Sequence, residues 1–524
     1  MHHGIGQKGG LLLVHAAEID GHGKGAGLII WDLAAGVSLH EEFDFFFAKA
    51  IAIALRLYNV YHSHGIEYTR AHAILQTKGR IRGNILPMDL FESLAPYYPK
   101  DFLIDLAASL QREETHCLLL NERKLSKQKL LEIYPNLIPH PFIPNAFYYD
   151  KGEYDLGKSF LHDVGAFYIQ DASAMLPAFF LDIQSEDLLL DFSAAPGGKT
   201  IGCAFKNPKC SILSNDISYP RHLHTSKNIE RLGIASACLC VGDLSKCAAT
   251  LLGRFDKIIL DAPCSGSGMF RKNERTMEDW TYSKVETLSK LQLELLSLCF
   301  SFLREGGQLM YSTCSFSYEE DEGVILDFLS RHEDASILPL PTRNGLYSHP
   351  SLPGSLHAFP HLYAGEGQFL CLLAKKGDAP HRFCPSPRLD KDALSALKAL
   401  GIAIPEGYSP IRRGESVYLM KDDLSFASSL PVSMIREGIE ACLLSNKQPP
   451  APSLHYTRTL SGEDCLPLSK QEAIKYLRGE TFPCSKKGYL PVSYLGMPLG
   501  QIKCSGGIAK NHYPKGLRRT YLLP

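Results

Sequence analysis

The chain has no excess of charge of either sign. Its 55 lysines and arginines are matched by 56 aspartates and glutamates, a formal net charge of −1. It is therefore not a basic nucleic-acid coat, and any surface for a polyanion must be local. It has no run of eighteen apolar residues. The nearest approach, Phe45-Phe-Phe-Ala-Lys-Ala-Ile-Ala-Ile-Ala-Leu-Arg-Leu57, is broken by Lys49 and Arg56, so no membrane span is expected. No secretory signal is expected. With 15 cysteines, that points to a reducing cytoplasm rather than a disulfide framework. Two nucleotide motifs are missing from the candidate strand ends. The one Gly-x-Gly-x-x-Gly, Gly4 to Gly9, follows no strand-like run, and the P-loop template fails because position 193 is Ser where a glycine is needed. Cys238-x-Cys240 and His222-x-His224 do not have the spacing of a standard zinc site, so no metal is expected.

What the chain does have is a series of short apolar runs that close on acidic residues. Leu188-Leu-Leu-Asp191, Cys210-Ser-Ile-Leu-Ser-Asn-Asp216, Ala237-Cys-Leu-Cys-Val-Gly-Asp243 and Lys257-Ile-Ile-Leu-Asp261 read as buried parallel strands. Gly307-Gln-Leu-Met-Tyr-Ser312 reads as a further one. Helical patterns lie between them at 221–232, 283–303 and 319–331, giving an α/β fold with a parallel sheet. Ligands of such sheets bind outside the carboxyl ends of the strands. After Asp191 comes the small-residue turn Ala194-Ala195-Pro196-Gly197-Gly198, and then Lys199 opens a helix. Taken alone, such a turn is more often a plain strand-to-helix connection. With the acidic strand ends it becomes a cofactor cradle. Asp216 is placed for ribose hydroxyls, Asp243 for a base, and Arg221, five residues beyond Asp216, for support. Acidic strand ends without a dinucleotide fingerprint point to an adenosyl cofactor other than NAD.

Two cysteines stand apart from the other thirteen. A cysteine is usually a small buried hydrophobe, as Cys203 and Cys299 read within helical apolar faces. Cys264 and Cys314, fifty positions apart, each follow a strand and lie in a polar turn of small residues. Such a place favours an accessible, nucleophilic thiolate. The sequences Ala194-Ala-Pro-Gly-Gly-Lys-Thr200, Asp261-Ala-Pro-Cys-Ser-Gly-Ser-Gly268 and Thr313-Cys-Ser315 resemble, in order and spacing, the RNA cytosine carbon-5 methyltransferases of the Sun-domain, RsmF-like group. The resemblance runs from about Met88 to the C-terminus. It implies a class-I, Rossmann-like methyltransferase core and S-adenosylmethionine as methyl donor. The acceptor it implies is a cytosine in structured RNA, with small-subunit ribosomal RNA as the expected substrate. It further implies Cys314 as nucleophile, Cys264 as the thiol that assists release, and Asp261 beside ring nitrogen 3. The reverse cysteine assignment stays open, as do a transfer-RNA substrate and a non-catalytic RNA-binding assembly factor. The family role needs no partner subunit, so a monomer is expected.

Residues 1–87 carry no domain pattern, and one reading has translation starting at Met88. Residues 88–180 are expected to form a mostly helical RNA-binding unit, with Asn121 in an RNA-facing element that has Leu119 where the family has arginine. The catalytic domain is expected over 181–376, with its loop 269–275 (Arg271, Lys272, Arg275) meeting phosphates and His361 either lining the site or structural. A Pro-rich bridge should open a small α/β unit over 377–448, and Pro449-Pro-Ala-Pro452 should be a second linker. Residues 453–524 should form a PUA-like barrel. From Gly496 onward five basic residues and no acidic ones surround Tyr513, which suits RNA backbone contact with stacking.

Overall fold

The computed structural model describes residues 86–379, 390–445, 448–521 and 523–524. The expectations for residues 1–85 and for the bridge over 380–389 lie outside the described residues.

The described residues open with helices Met88–Leu94 and Lys100–Ser109. A third helix, Lys127–Ile133, is capped by Ser126, whose hydroxyl accepts from Lys129 N. The segment is not mostly helical, however. Strands β1 (Cys117–Leu120), β2 (Ile138–Pro139), β3 (Ala146–Tyr148) and β4 (Phe167–Ile169) form an antiparallel sheet in the order β2-β3-β1-β4. The cause is local. Cys117-Leu-Leu-Leu120 is buried along its whole length, so it packs as a central strand with both faces covered. Asn121 follows it into the interior. Its amide donates to Gly165 O and Leu232 O, both at 3.0 Å. It ties this sheet to the catalytic core and faces no solvent, which corrects its expected place on an RNA-facing surface.

The catalytic sheet uses β5 (Leu188–Asp191), β6 (Ser211–Asp216), β7 (Ala237–Val241), β8 (Phe255–Asp261) and β9 (Leu303–Thr313), all parallel. Strands β10 (Ala335–Ile337), β11 (Leu356–Ala358) and β12 (Gln368–Lys375) complete it as antiparallel members. Leu188–Leu190, Ile258–Leu260 and Leu309–Tyr311 are wholly buried. Each such side chain contributes about 1.5–3 kcal/mol by leaving water. Those unbroken runs are what make the strand ends point at one edge. Helices Gly198–Lys206, Tyr219–Leu232, Tyr282–Phe302 and Glu322–Arg331 connect the strands.

The following segment holds helix Lys391–Leu400 and strands β13 (Tyr408–Arg413), β14 (Ser416–Lys421), β15 (Ser433–Glu437), β16 (Ile439–Ser445) and β17 (Gln448–Pro452). Four of them form a small sheet, β13-β14-β16-β17. β15 leaves it and pairs antiparallel with β7, so the expected separate unit extends the catalytic sheet to nine strands. The expected proline linker is β17 itself. It lies at the edge of the small sheet, where missing amide donors are tolerated. Strands β18 (Leu466–Pro467), β19 (Phe482–Pro483), β20 (Gly488–Tyr494), β21 (Met497–Ser505) and β22 (Ile508–Asn511) form the last sheet. A bond links Cys484, just after the edge strand β19, to Cys504 on β21, one cystine where none was expected. Among the described residues, no helix is long and apolar enough to cross a membrane.

Candidate active site

The turn after β5 is a braced cradle. Gly197 sits at φ 101°, in the left-handed region, and a side chain there would meet Thr225 Cγ2 at 2.6 Å. Ala195 N donates to Asp216 Oδ2 at 2.9 Å, and Ser218 N donates to Asp216 Oδ1 at 2.8 Å. Ala194 N donates to Asn215 O at 2.7 Å. The Arg221 guanidinium donates to Ala195 O at 2.7 Å, so this arginine braces the turn from outside. Ala194, Ala195, Pro196, Gly197 and Gly198 are thus held at the mouth of β5 and β6. Asp191 lies beneath them, fully buried, accepting from Thr200 Oγ1 at 2.5 Å. Burial pushes its carboxyl up to about 7.

Asp243 lies one strand further out. It is exposed, and its Oδ1 caps the following turn, accepting from Ser245 N at 3.0 Å and from Ser245 Oγ at 2.6 Å. It opens on a cleft of about 440 Å³ lined on one side by Val241, Gly242 and Lys246. The other wall is Leu430–Ser433, which leads into β15 and lies outside the expected catalytic range. No sequence pattern indicated that wall.

At the end of β8 the Asp261 carboxylate has three donors. Lys199 Nζ reaches Oδ2 at 2.6 Å, while Ser312 Oγ at 2.8 Å and Gln368 Nε2 at 3.0 Å reach Oδ1. Asp261, Lys199 and the β9 end therefore meet at one point. Burial works against the Lys199 ammonium, but Asp261 first and then the Cys314 sulfur hold it above its ordinary range. Gln368 opens the antiparallel strand β12, and only the sheet order brings it to Asp261.

The sulfurs of Cys264 and Cys314 lie 3.2 Å apart. Among the described free cysteines these two alone are half-exposed, and the other ten are buried. The surroundings of the two thiols differ. Cys264 is pushed up by its hydrogen bond to Cys314, by burial, and by the charges of Cys314, Glu320 and Asp261. The Cys314 side holds the Lys199 ammonium.

Other expected residues land elsewhere. Arg271 is buried in an ion pair, its Nε 2.7 Å from Glu366 Oε2, and it also donates to Glu113 O and Gly365 O. Lys272 faces Asp171 at 3.7 Å. Of the three cations in that loop only Arg275 is exposed. His361 packs edge-on against Phe102, ring centres 4.4 Å apart, and burial lowers it to about 4. Tyr513 is buried against Tyr476 and cannot stack on a base. Tyr489 in the same sheet is half-buried, with Lys503 Nζ 4.8 Å from its ring centre and His512 at 5.4 Å. In register, Tyr489 stands opposite Lys503 and Lys503 opposite Lys510, so one face of β20, β21 and β22 carries all three. The buried group Asp321, Glu322 and His357 has ligand atoms within 4.8 Å of one another, and His357 Nε2 lies 2.6 Å from Glu322 Oε1.

Sequence comparison agrees with this arrangement. The family described as 16S rRNA methyltransferase RsmB/F matches residues 178–374, and the methyltransferase RsmF PUA domain matches 463–519. Ribosomal RNA small subunit methyltransferase F of Shigella dysenteriae is 31% identical over 447 residues, covering 79% of this chain and 92% of that one. This chain belongs to the RsmB/F methyltransferase family. The Klebsiella pneumoniae enzyme of the same name is 30% identical over 463 residues, covering 81% and 97%. The solved structure of PH0851 is 28% identical, with a TM-score of 0.52, and covers 55% of this chain and 66% of its own. The structure of NSun6 from Pyrococcus horikoshii with SFG, at 22% identity, shows the same fold, with a TM-score of 0.51 over 56% of this chain and 99% of its own. The RsmB/F fold is the class-I methyltransferase fold, and its cofactor is S-adenosylmethionine. The cradle fits that group: a glycine turn with no room for a side chain, two carboxylates at successive strand ends, and a third at Asp261.

Proposed function

We propose that this RsmB/F methyltransferase methylates carbon 5 of a cytosine in small-subunit ribosomal RNA through a covalent adduct with Cys314. The observation that carries the reading is the 3.2 Å contact between its two half-exposed thiols, beside the Asp261–Lys199 pair. Nitrogen methylation needs no thiol, whereas carbon 5 of cytosine is too weak a nucleophile to take a methyl group unaided. The names of its relatives supply the RNA class.

Ala194 to Gly198, with Asp216 and Asp243, would hold S-adenosylmethionine, which supplies an electrophilic methyl group when bound. Lys199 and Arg221 fix this cradle from either side. The hydrogen bond to Cys314, burial and the nearby carboxylates favour the Cys264 thiol, and the Lys199 ammonium stands on the Cys314 side. The Cys314 thiolate forms a bond to carbon 6, the carbon 5–carbon 6 double bond opens, and nitrogen 3 takes a proton from solvent. Carbon 5 then takes the methyl group. Cys264, having given its own proton to solvent, removes the carbon 5 proton, the ring double bond re-forms, Cys314 leaves as thiolate, and nitrogen 3 returns its proton to solvent. Asp261 Oδ1 already has two donors, but Oδ2 has one and can accept a second from the nitrogen 3 N–H.

The face of Tyr489, Lys503 and Lys510 is assigned to RNA, the ring stacking on a base and the lysines meeting phosphates. The test is methyl transfer from labelled S-adenosylmethionine to ribosomal RNA, with denaturing gels to trap adducts. Cys314→Ala should abolish both transfer and adduct, and Cys264→Ala should accumulate adduct. Transfer at the wild-type rate by Cys314→Ala would sink the proposal.

A further inference from the structure

Beneath the two cysteine turns lies a carboxylate that the reaction above does not use. Glu320 is fully buried. Its Oε1 accepts from Ser265 N at 2.8 Å and from Gln292 Nε2 at 3.0 Å. Its Oε2 accepts from Ser265 Oγ at 2.5 Å and from Ser315 Oγ at 2.6 Å. Ser265 directly follows Cys264, and Ser315 directly follows Cys314. One carboxylate therefore binds the residue after each thiol, across a separation of fifty positions.

The rest of the cluster keeps this carboxylate and the turns from shifting. Tyr311 Oη donates to Glu320 O at 2.7 Å, anchoring the clamp to β9. Gly268 N donates to Cys314 O at 2.8 Å, and Phe316 N donates to Ser267 Oγ at 2.8 Å, so the turns are also stitched to each other. Thr313 Oγ1 donates to Asp321 Oδ1 at 2.5 Å and accepts from Ser315 N at 3.1 Å, which holds the nucleophile's turn from its other side.

A buried carboxylate is costly to desolvate, and an apolar residue of similar volume would serve packing alone at least as well. Burial raises the Glu320 carboxyl, and the hydrogen bonds from Ser265 and Ser315 pull it back. What those bonds secure is the spacing of the thiols. With the sulfurs 3.2 Å apart, Cys264 stands beside any ring bonded to Cys314, as a base that must come within about 3 Å of the carbon it deprotonates requires.

We propose that Glu320 is a positioning residue that fixes the Cys264 turn against the Cys314 turn, so that the thiol on one can act on the adduct formed at the other. This rests on the two-thiol reaction proposed above. Loss of the clamp leaves Cys314 able to attack but misplaces its partner, so the step that suffers is release. A merely structural glutamate would lower the folded fraction and slow all steps together.

Glu320→Gln keeps the length of the side chain but has one acceptor oxygen where the carboxylate has two. With ribosomal RNA and S-adenosylmethionine, its turnover should fall about a hundredfold while denaturant-resistant adduct rises about tenfold over wild type. Affinity for S-adenosylmethionine, read by calorimetry, should not change, because Glu320 does not touch Lys199, Asp261 or the glycine turn. Ser265→Ala removes one hydroxyl donor and leaves its amide, so it should show the same pattern more weakly. It decides the matter if Glu320→Gln does not fold. Wild-type turnover in the folded variants, or turnover lost without adduct, overturns the positioning role. Cys264→Ala runs alongside. If it traps adduct and the clamp variants do not, only the role of Glu320 falls. If it traps none, the two-thiol reaction falls first.

Discussion

Two basic regions of this molecule look alike in sequence and differ in structure. The loop 269–275 carries three cations beside the active site, and the face of β20, β21 and β22 carries Lys503 and Lys510 far along the chain. In the loop, Arg271 is consumed by Glu366, ninety-five residues away, and by two carbonyls, with the ion pair only 4% and 1% exposed. In the C-terminal sheet, Lys510 is exposed and Lys503 lies over a tyrosine ring. A cation already satisfied inside the fold cannot release counterions from a phosphate backbone, and one facing solvent can. Basic composition shows where charge is, and the fold decides whether it is free.

The comparison can be broken at several points. Arg271→Ala strands the Glu366 carboxylate and should lower stability by about 3–5 kcal/mol in denaturant unfolding. If it instead weakened RNA binding in a stably folded protein, the two regions would be equivalent after all. Tyr489→Ala should cost about 1–3 kcal/mol of RNA affinity with stability preserved, because its ring serves as a stacking platform. Filter binding over a range of salt concentrations reads this directly. Lys503→Ala and Lys510→Ala should each reduce the slope of log affinity against log salt by about 1, and weaken all RNA sequences alike. An unchanged slope would remove the face from the interface. Arg275→Ala, at the one exposed cation of the loop, should leave stability within about 0.5 kcal/mol. A larger change would mean that this loop has no free charge at all.

How much could be read beforehand depended on how far apart the interacting residues lie. The strands ending at Asp191, Asp216 and Asp261 were legible because buried parallel strands need unbroken apolar runs. The glycine turn was legible because Gly197 needs a positive φ. The two thiols were singled out by their small polar turns, and those turns are where the half-exposed sulfurs lie. The sheet of residues 117–169 was not legible, since a short run such as Cys117-Leu-Leu-Leu120 fits helix and strand alike. Neither were Gln368 on Asp261, Glu366 on Arg271 or Glu320 under both cysteines, because each joins residues more than fifty positions apart. The proline-rich β17 read as a linker because edge strands tolerate what central strands do not.

The strand β15 also affects how this enzyme can be dissected. The match to the methyltransferase family ends at residue 374, inside β12, and a fragment cut just beyond that strand would seem a natural minimal catalyst. Such a fragment would leave β7 without its outer neighbour, so a row of amides and carbonyls on an almost wholly buried strand would become an open template for a foreign chain. A catalytic fragment that stays monomeric should therefore have to extend through Glu437.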